Sequence, residues 1–403
     1  MYMKDFSNSK TKAEGLKILF EKCPQGKQSE VVSISEAIYR IPTQSIYSIN
    51  TLPVIRASMM DGIAVSSALF KEGMPDTSKW VQGNEYMRAD TGDDFDDRYD
   101  AIIAIENVSF DEMGRLKLSE DIKVKEGTCV RGRGSTIKEG DLVLQAGMPI
   151  RPSDLGALAM GGITEVPVLK KPIVAFIPTG SELVPAGTMP KRGQNVDSNS
   201  IMAKHMLLEM GAQPLCYPIV KDSPKEINTV LEKALKEADI IIVSGGSSKG
   251  EEDYTTKVMR DKGEVLLHGV TAGPGRPMSM AIIDKKPVIN LPGPAIASYY
   301  GLDWCIRSIV NHYLGLPMIK RQRVTAALTE DMPCPSQISF LCKINLEKSL
   351  DGNYMATPVP FKGARMSMCL ETNGQFVSEI GEGNYKKGDT IDVELLCSEE
   401  FIF

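Results

Sequence analysis

Between residues 171 and 315 short apolar runs alternate with amphipathic helical patterns, and nothing else in the chain narrows its fold so far. The first run, Val174-Ala-Phe-Ile-Pro-Thr-Gly-Ser-Glu182, ends in a glycine turn that carries a carboxylate. The second, Ile240-Ile-Ile-Val-Ser-Gly-Gly-Ser-Ser-Lys-Gly-Glu-Glu-Asp-Tyr254, repeats the same order of apolar run, Gly/Ser turn, acids and helix start. Apolar runs this short, bounded by turn signals, read as strands covered on both faces. Between them Ser223-Pro224-Lys225-Glu226 is a capping sequence with proline at the first helical position. Ile227, Val230, Leu231, Ala234, Leu235 and Ala238 then fall on one helical face. A second helical pattern spans 198–210 and stops at Gly211, and a long one spans 295–313. Further strand-like runs occupy 214–220, 264–267, 278–283 and 287–291. The series predicts a mostly parallel α/β sheet.

Ligands of such sheets bind beyond the C-terminal ends of the strands, where both acidic turns fall. Glycines there let backbone N–H groups approach an anion, and the carboxylates can hold a divalent cation beside it. The pattern therefore reads as a site for an oxyanion together with a metal ion. The alternative is that Gly and Ser only make tight connections.

The formal net charge of −6 leaves no basic excess to neutralise phosphates, which argues against a nucleic-acid partner. His205, His268 and His312 are too widely spaced to suggest a multi-histidine metal site. The eight cysteines include no Cys-x-x-Cys pair and fit a reduced compartment. The first ten residues lack an apolar core, and no stretch approaches the ~20 apolar residues of a membrane span. These features predict a cytoplasmic chain with no membrane association.

Residues 1–49 read as two helices, one over 12–23 and one starting at Ser33. From 50 to 146 Gly and Pro recur between short apolar runs, which predicts a β-rich lobe. Its acidic stretch 90–97 lacks the spacing of a calcium loop and reads as a solvated turn. Arg131-Gly-Arg-Gly134 is a weak anion-loop candidate. Pro152-Ser-Asp-Leu-Gly-Ala-Leu-Ala-Met160 reads as a short helix, and the runs after 319 as a small β-barrel or sandwich.

Four ordered motifs carry a resemblance. Met60-Asp-Gly-Ile-Ala-Val65, Pro178-Thr-Gly-Ser-Glu-Leu183, Ser244-Gly-Gly-Ser-Ser-Lys-Gly250 with Asp253-Tyr-Thr255, and Leu291-Pro-Gly293 stand in the order and at the spacings of the MoeA/gephyrin family. The chain resembles that family over nearly its whole length. The resemblance implies a MogA/MoaB-like three-layer α/β domain (173–318), a helical linker domain (1–49 plus 147–172), a protruding β-rich lobe (50–146) and a C-terminal β-barrel (319–403). It implies Mg²⁺-dependent cleavage of adenylylated molybdopterin, with molybdate inserted and AMP released. It also implies a homodimer, with molybdopterin adenylyltransferase and molybdoenzyme maturation proteins as possible partners. Carried over by position, Asp61, Glu182, Asp222 and Asp253 form the catalytic set. Glu182 and Asp253 follow separate strands whose ends should converge, and they are the expected Mg²⁺ ligands. Thr91, Thr179, Gly180, Ser244, Gly245, Gly246, Ser247, Gly250, Pro292 and Gly293 are the expected binding positions.

Departures from the family pattern concentrate at the anion end. Two lysine positions of the family are Gly269 and Gly273 here, and only Arg276 stays basic. Leu-Pro-Gly-Asn-Pro becomes Leu291-Pro-Gly-Pro-Ala295, and Arg133-Gly-Ser-Thr136 has lost two acids. The C-terminal Gly-Ser becomes Gly363-Ala364. A molybdate dianion needs cations around it, and Lys249 with Arg276 are the residues expected to restore them. The resemblance implies molybdopterin molybdenumtransferase activity. The alternatives are a non-catalytic molybdopterin-binding carrier or scaffold, and a nucleotide hydrolase on the same fold. A dinucleotide fingerprint, a Walker sequence and a nucleophile elbow are absent.

Overall fold

The computed structural model describes residues 9–26, 28–245, 254–318, 320–359, 366–369 and 371–402. The chain divides into two compact units, one of residues 29–169 and one of residues up to 28 together with 170–403.

The second of these holds the α/β domain. Its strands are β1 (Ile173–Pro178), β2 (Gln213–Cys216), β3 (Ile240–Ser244), β4 (Glu264–His268), β5 (Ser279–Ile283) and β6 (Lys286–Leu291), in the spatial order β2-β1-β3-β6-β5-β4. The pairs β2/β1, β1/β3 and β3/β6 are parallel, and only β5 runs against its neighbours. Ala175, Ile177, Ile241 and Val243 face a core shared with Ile227, Leu231, Ala234 and Leu235 of the helix Pro224–Glu237 and Val258 and Met259 of the helix Tyr254–Lys262. The alternate residues Val174, Phe176, Ile240 and Ile242 are buried as well, and the helix Asn199–Glu209 packs on β1 and β2. Covering of both faces is what the uninterrupted apolar runs require. The helical pattern at 295–313 is interrupted: one π-helical turn, Leu302–Ile306, joins Ala295–Gly301 to Arg307–Tyr313.

After 319 five strands close into a barrel: Arg323–Leu328, Ser339–Lys348, Tyr354–Val359, Gly374–Val377 and Thr390–Leu395. Closure comes from Ser339–Lys348 pairing with both Tyr354–Val359 and Gly374–Val377. A short strand from the α/β domain, Ala272–Gly273, adds to the same sheet beside Ser339 and Phe340. The N-terminal helix Lys12–Lys22 also belongs here, packing on β4, β5 and the helix Arg307–Tyr313. Its start is a full capping box between Thr11 and Glu14.

The unit of residues 29–169 is built from short strands. Gly62–Val65 lies between Tyr86–Ala89 and Ala101–Ala104, and Ile63, Val65, Ala101, Ile103 and Leu116 form its core. A separate core of Ala37, Leu144, Ile150, Leu158, Val166 and Val168 joins the strand pair Ser29–Ser33 and Glu165–Leu169 to the helix Pro152–Met160. The helix expected to start at Ser33 is a single 3₁₀ turn, Ile34–Glu36. Ser33 does cap it, accepting from Ser35 N, but Tyr39 adopts a positive φ of 58° and propagation stops. Among the described residues no helix is long and apolar enough to cross a membrane.

Candidate active site

Strand order reverses at β1. The chain leaves β1 for β2 on one side and later returns to β3 on the other, so a crevice opens where the C-terminal ends of β1 and β3 diverge. A cleft of about 850 Å³ lies there, walled by Thr179, Glu182, Asp222, Ser244, Gly245, Pro292 and Gly293 among others. Seven of the expected site residues thus meet at one place.

The backbone beyond the strand ends is already hydrogen bonded. Thr179 N donates to Ser244 O at 2.8 Å, Gly180 N to Val220 O at 3.0 Å and Gly245 N to Leu291 O at 3.0 Å. The Gly245 N–H, expected to face an anion, therefore holds the β3 end against β6. Gly245 has φ 114°, and a Cβ there would lie 2.2 Å from Thr179 O, so only glycine permits this close approach. Gly293 lies opposite, the nearest heavy atom to its ideal Cβ position being Gly245 Cα at 4.0 Å. Two bare backbones thus face each other in the cleft. Pro178, Pro274, Pro277 and Pro294 supply apolar walls between them.

Two acids, Glu182 and Asp222, also line the cleft. Asp222 N donates to Ser181 Oγ at 3.2 Å, which ties the 222 loop to the turn bearing Glu182. Asp222 Oδ1 is buried without a hydrogen-bond partner. Burial, and then the charge of Glu182, hold the Asp222 carboxyl above the ordinary aspartate range. Two carboxylates converging in this way, with one oxygen unmet, fit a hard divalent cation. Asp253, the second expected metal ligand, lies outside the described residues, as do Gly246, Ser247, Lys249 and Gly250. Among the described residues no group of three metal-ligating side chains forms.

Arg276 is exposed and does not belong to the cleft wall. Position 273 is closely packed. Gly273 sits in the strand that joins the barrel, and a Cβ there would meet Ile338 Cδ1 at 2.8 Å and Phe340 Cδ2 at 3.1 Å. A longer residue there would have to displace these two side chains.

Sequence reasoning passed over three cleft residues, Asn195, Asp197 and Asn199. Asp197 accepts from Ser200 N at 3.1 Å and Ser200 Oγ at 2.5 Å, capping the helix Asn199–Glu209. Asn-x-Asp-Ser-Asn ahead of a helical pattern is a dense run of capping residue types, and that was the available signal.

Asp61 and Thr91 come together in the unit of residues 29–169. Thr91 N and Thr91 Oγ1 both donate to Asp61 Oδ1, at 2.7 and 2.8 Å. These bonds hold the Asp61 carboxyl below its usual range, the backbone donor first. Because the folded value is depressed, the contribution is present above the unfolded aspartate pKa and is lost as pH falls through the folded one. Thr91→Val removes one donor, and Asp61 should then titrate closer to the ordinary aspartate value, read by carboxyl-carbon NMR. An unmoved titration would show that the hydroxyl bond is not formed in solution.

A switch-point cleft with paired acids, in an α/β domain joined to a barrel and a β-rich insertion, defines a multidomain α/β protein with a ligand cleft at its strand ends. Residues 11–162 match the family model described as "MoeA N-terminal region (domain I and II)", and residues 175–312 the one described as "Probable molybdopterin binding domain". The chain is 26% identical to a Haemophilus influenzae protein named "Molybdopterin molybdenumtransferase", over 93% of this chain and 96% of that one. A Bacillus subtilis protein of the same name is 25% identical, over 92% and 91%. A solved structure titled as the molybdopterin biosynthesis moeA protein from Pyrococcus horikoshii shares the fold, with a TM-score of 0.73, 24% identity, and coverage of 96% of this chain and 100% of that one. The chain belongs to the MoeA family.

Proposed function

We propose that this chain acts in molybdenum cofactor biosynthesis, inserting molybdate into adenylylated molybdopterin with Mg²⁺ and releasing AMP. The observation that carries the reading is the cleft at the β1/β3 switch point, where Glu182 stands beside Asp222 and its unmet buried oxygen. Relatives aligned over nine-tenths of the chain bear the name of that activity.

Glu182 and Asp222 would hold the cation, with Asp253 from the following turn. Bound there, Mg²⁺ supplies positive charge against a pyrophosphate and offsets the charge that develops on the cleaved bridge. Ser181 fixes the Asp222 loop so that both carboxylates keep their place without a ligand. The proline walls give the cleft apolar surface on which a flat ring can lie. Lys249 is the proposed cation for molybdate; Arg276, exposed and outside the cleft wall, is not assigned to it. Asp61 and Thr91 would complete the site across a homodimer, and an adenylyltransferase would supply the pterin.

A second reading has its own support. Among the described residues no lysine or arginine lines the cleft, which favours a carrier that binds adenylylated molybdopterin without turnover. Incubating the purified protein with adenylylated molybdopterin, Mg²⁺ and molybdate separates the two. AMP release together with cofactor formation is the expected result. Binding without either product replaces the transferase by the carrier, and AMP without cofactor replaces it by a hydrolase.

A further inference from the structure

Asn199 stands at the start of its eleven-residue helix, in the cleft wall, and is 9% exposed. Its Nδ2 donates to Gly293 O at 2.9 Å and to Ser244 Oγ at 3.2 Å. A backbone carbonyl only accepts, so the bond to Gly293 fixes which end of the amide is nitrogen. Oδ1 must then point the other way, and it is buried with no hydrogen-bond partner. The helix does not need it as a cap, because Asp197 already serves Ser200. A buried amide oxygen left unmet in a native protein needs an explanation, and in the wall of a ligand cleft a donor on the bound molecule supplies one.

We propose that Asn199 Oδ1 accepts a hydrogen bond from an amino group or ring N–H of the heterocycle bound in this cleft, making Asn199 a specificity-determining residue. The inference rests on the proposed function, which puts an adenylylated pterin there. Its two heterocycles share the relevant chemistry: adenine carries an exocyclic amine, and so does the pterin pyrimidine ring. An acceptor held by two bonds of its own, between the ends of β3 and β6, discriminates amine from oxo or hydrogen because it cannot turn to donate instead.

The test is a cycle over protein and ligand, using the full chain, wild type and Asn199→Ala. One ligand pair is AMP and purine riboside 5′-monophosphate, which lacks the amine. The other is pterin and lumazine, in which oxygen replaces the amine. In one of the pairs the amine should strengthen binding to wild type about tenfold and make no difference to Asn199→Ala. That pair identifies which ring is read. A merely structural asparagine would weaken both members of each pair equally, leaving the amine effect intact, and that outcome overturns the proposal while leaving the proposed function standing. Wild type that binds none of the four ligands removes both.

Discussion

On the proposed function, Asp222→Asn cuts Mg²⁺-dependent AMP release about a hundredfold and at the same time raises the unfolding midpoint of the unliganded protein at neutral pH. The two effects have one origin. Burial and Glu182 lift the Asp222 carboxyl above the ordinary aspartate range, so the fold penalises its ionised form. A raised folded value means that stability declines as pH climbs from the unfolded aspartate pKa through the folded one. Asparagine never ionises and escapes that decline, but it offers a cation one neutral oxygen in place of a charge. Urea midpoints at pH 4 and pH 8, for both proteins, should converge at the lower pH and separate at the higher. Adding Mg²⁺ should stabilise wild type more than the variant. Identical Mg²⁺ dependence of turnover in both would take Asp222 out of the metal set.

The largest stability loss is expected at Gly62. An alanine Cβ there would lie 2.0 Å from Ile103 O and 2.9 Å from its carbonyl carbon, in a central strand paired on both sides. Backbone cannot swing aside as a side-chain tip can, so Gly62→Ala must part Gly62–Val65 from Ala101–Ala104. A cost of about 3 kcal/mol or more follows from overpacking combined with lost ladder bonds. Gly156→Ala is the matched control in the same unit: it lies in the helix Pro152–Met160 with nothing within 4 Å of the added carbon. It should gain about 0.5–1 kcal/mol from the alanine preference of helices. Denaturant unfolding measures both, and equal midpoints would refute the steric reading. The Met-Asp-Gly motif thus combines a carboxylate held by Thr91 with a glycine that the sheet itself demands.

The α/β sheet was legible because its information is local. Each apolar run declares a strand covered on both faces, and each Gly/Ser turn with acids declares a strand end at the ligand edge. Glu182 and Ser244 were found on that basis and Asp222 only through the family resemblance, and the cleft brings the three together. Asn199 was not found, since its meaning depends on Gly293, 94 residues away, and on an oxygen that nothing in the fold satisfies. The same holds for the N-terminal helix. Its amphipathic stripe was plain, but which surface would cover it was not, and it covers β4 and β5 of the distant α/β domain. Ser33 misled for the opposite reason: its capping signal is real, and the backbone turns left-handed six residues later at Tyr39.

The chain leaves the α/β–barrel unit after residue 28 and re-enters it at 170, and there Lys170 N donates to Gln28 O at 2.9 Å. The exit and the return are therefore neighbours, and residues 29–169 have the topology of a cassette inserted into a host whose own path is nearly continuous without it. A host interrupted in this way tolerates loss or exchange of the cassette, because a two-residue bridge can span what one hydrogen bond already spans. Evolution can then tune the lobe that carries Asp61 and Thr91 on a separate clock from the cleft.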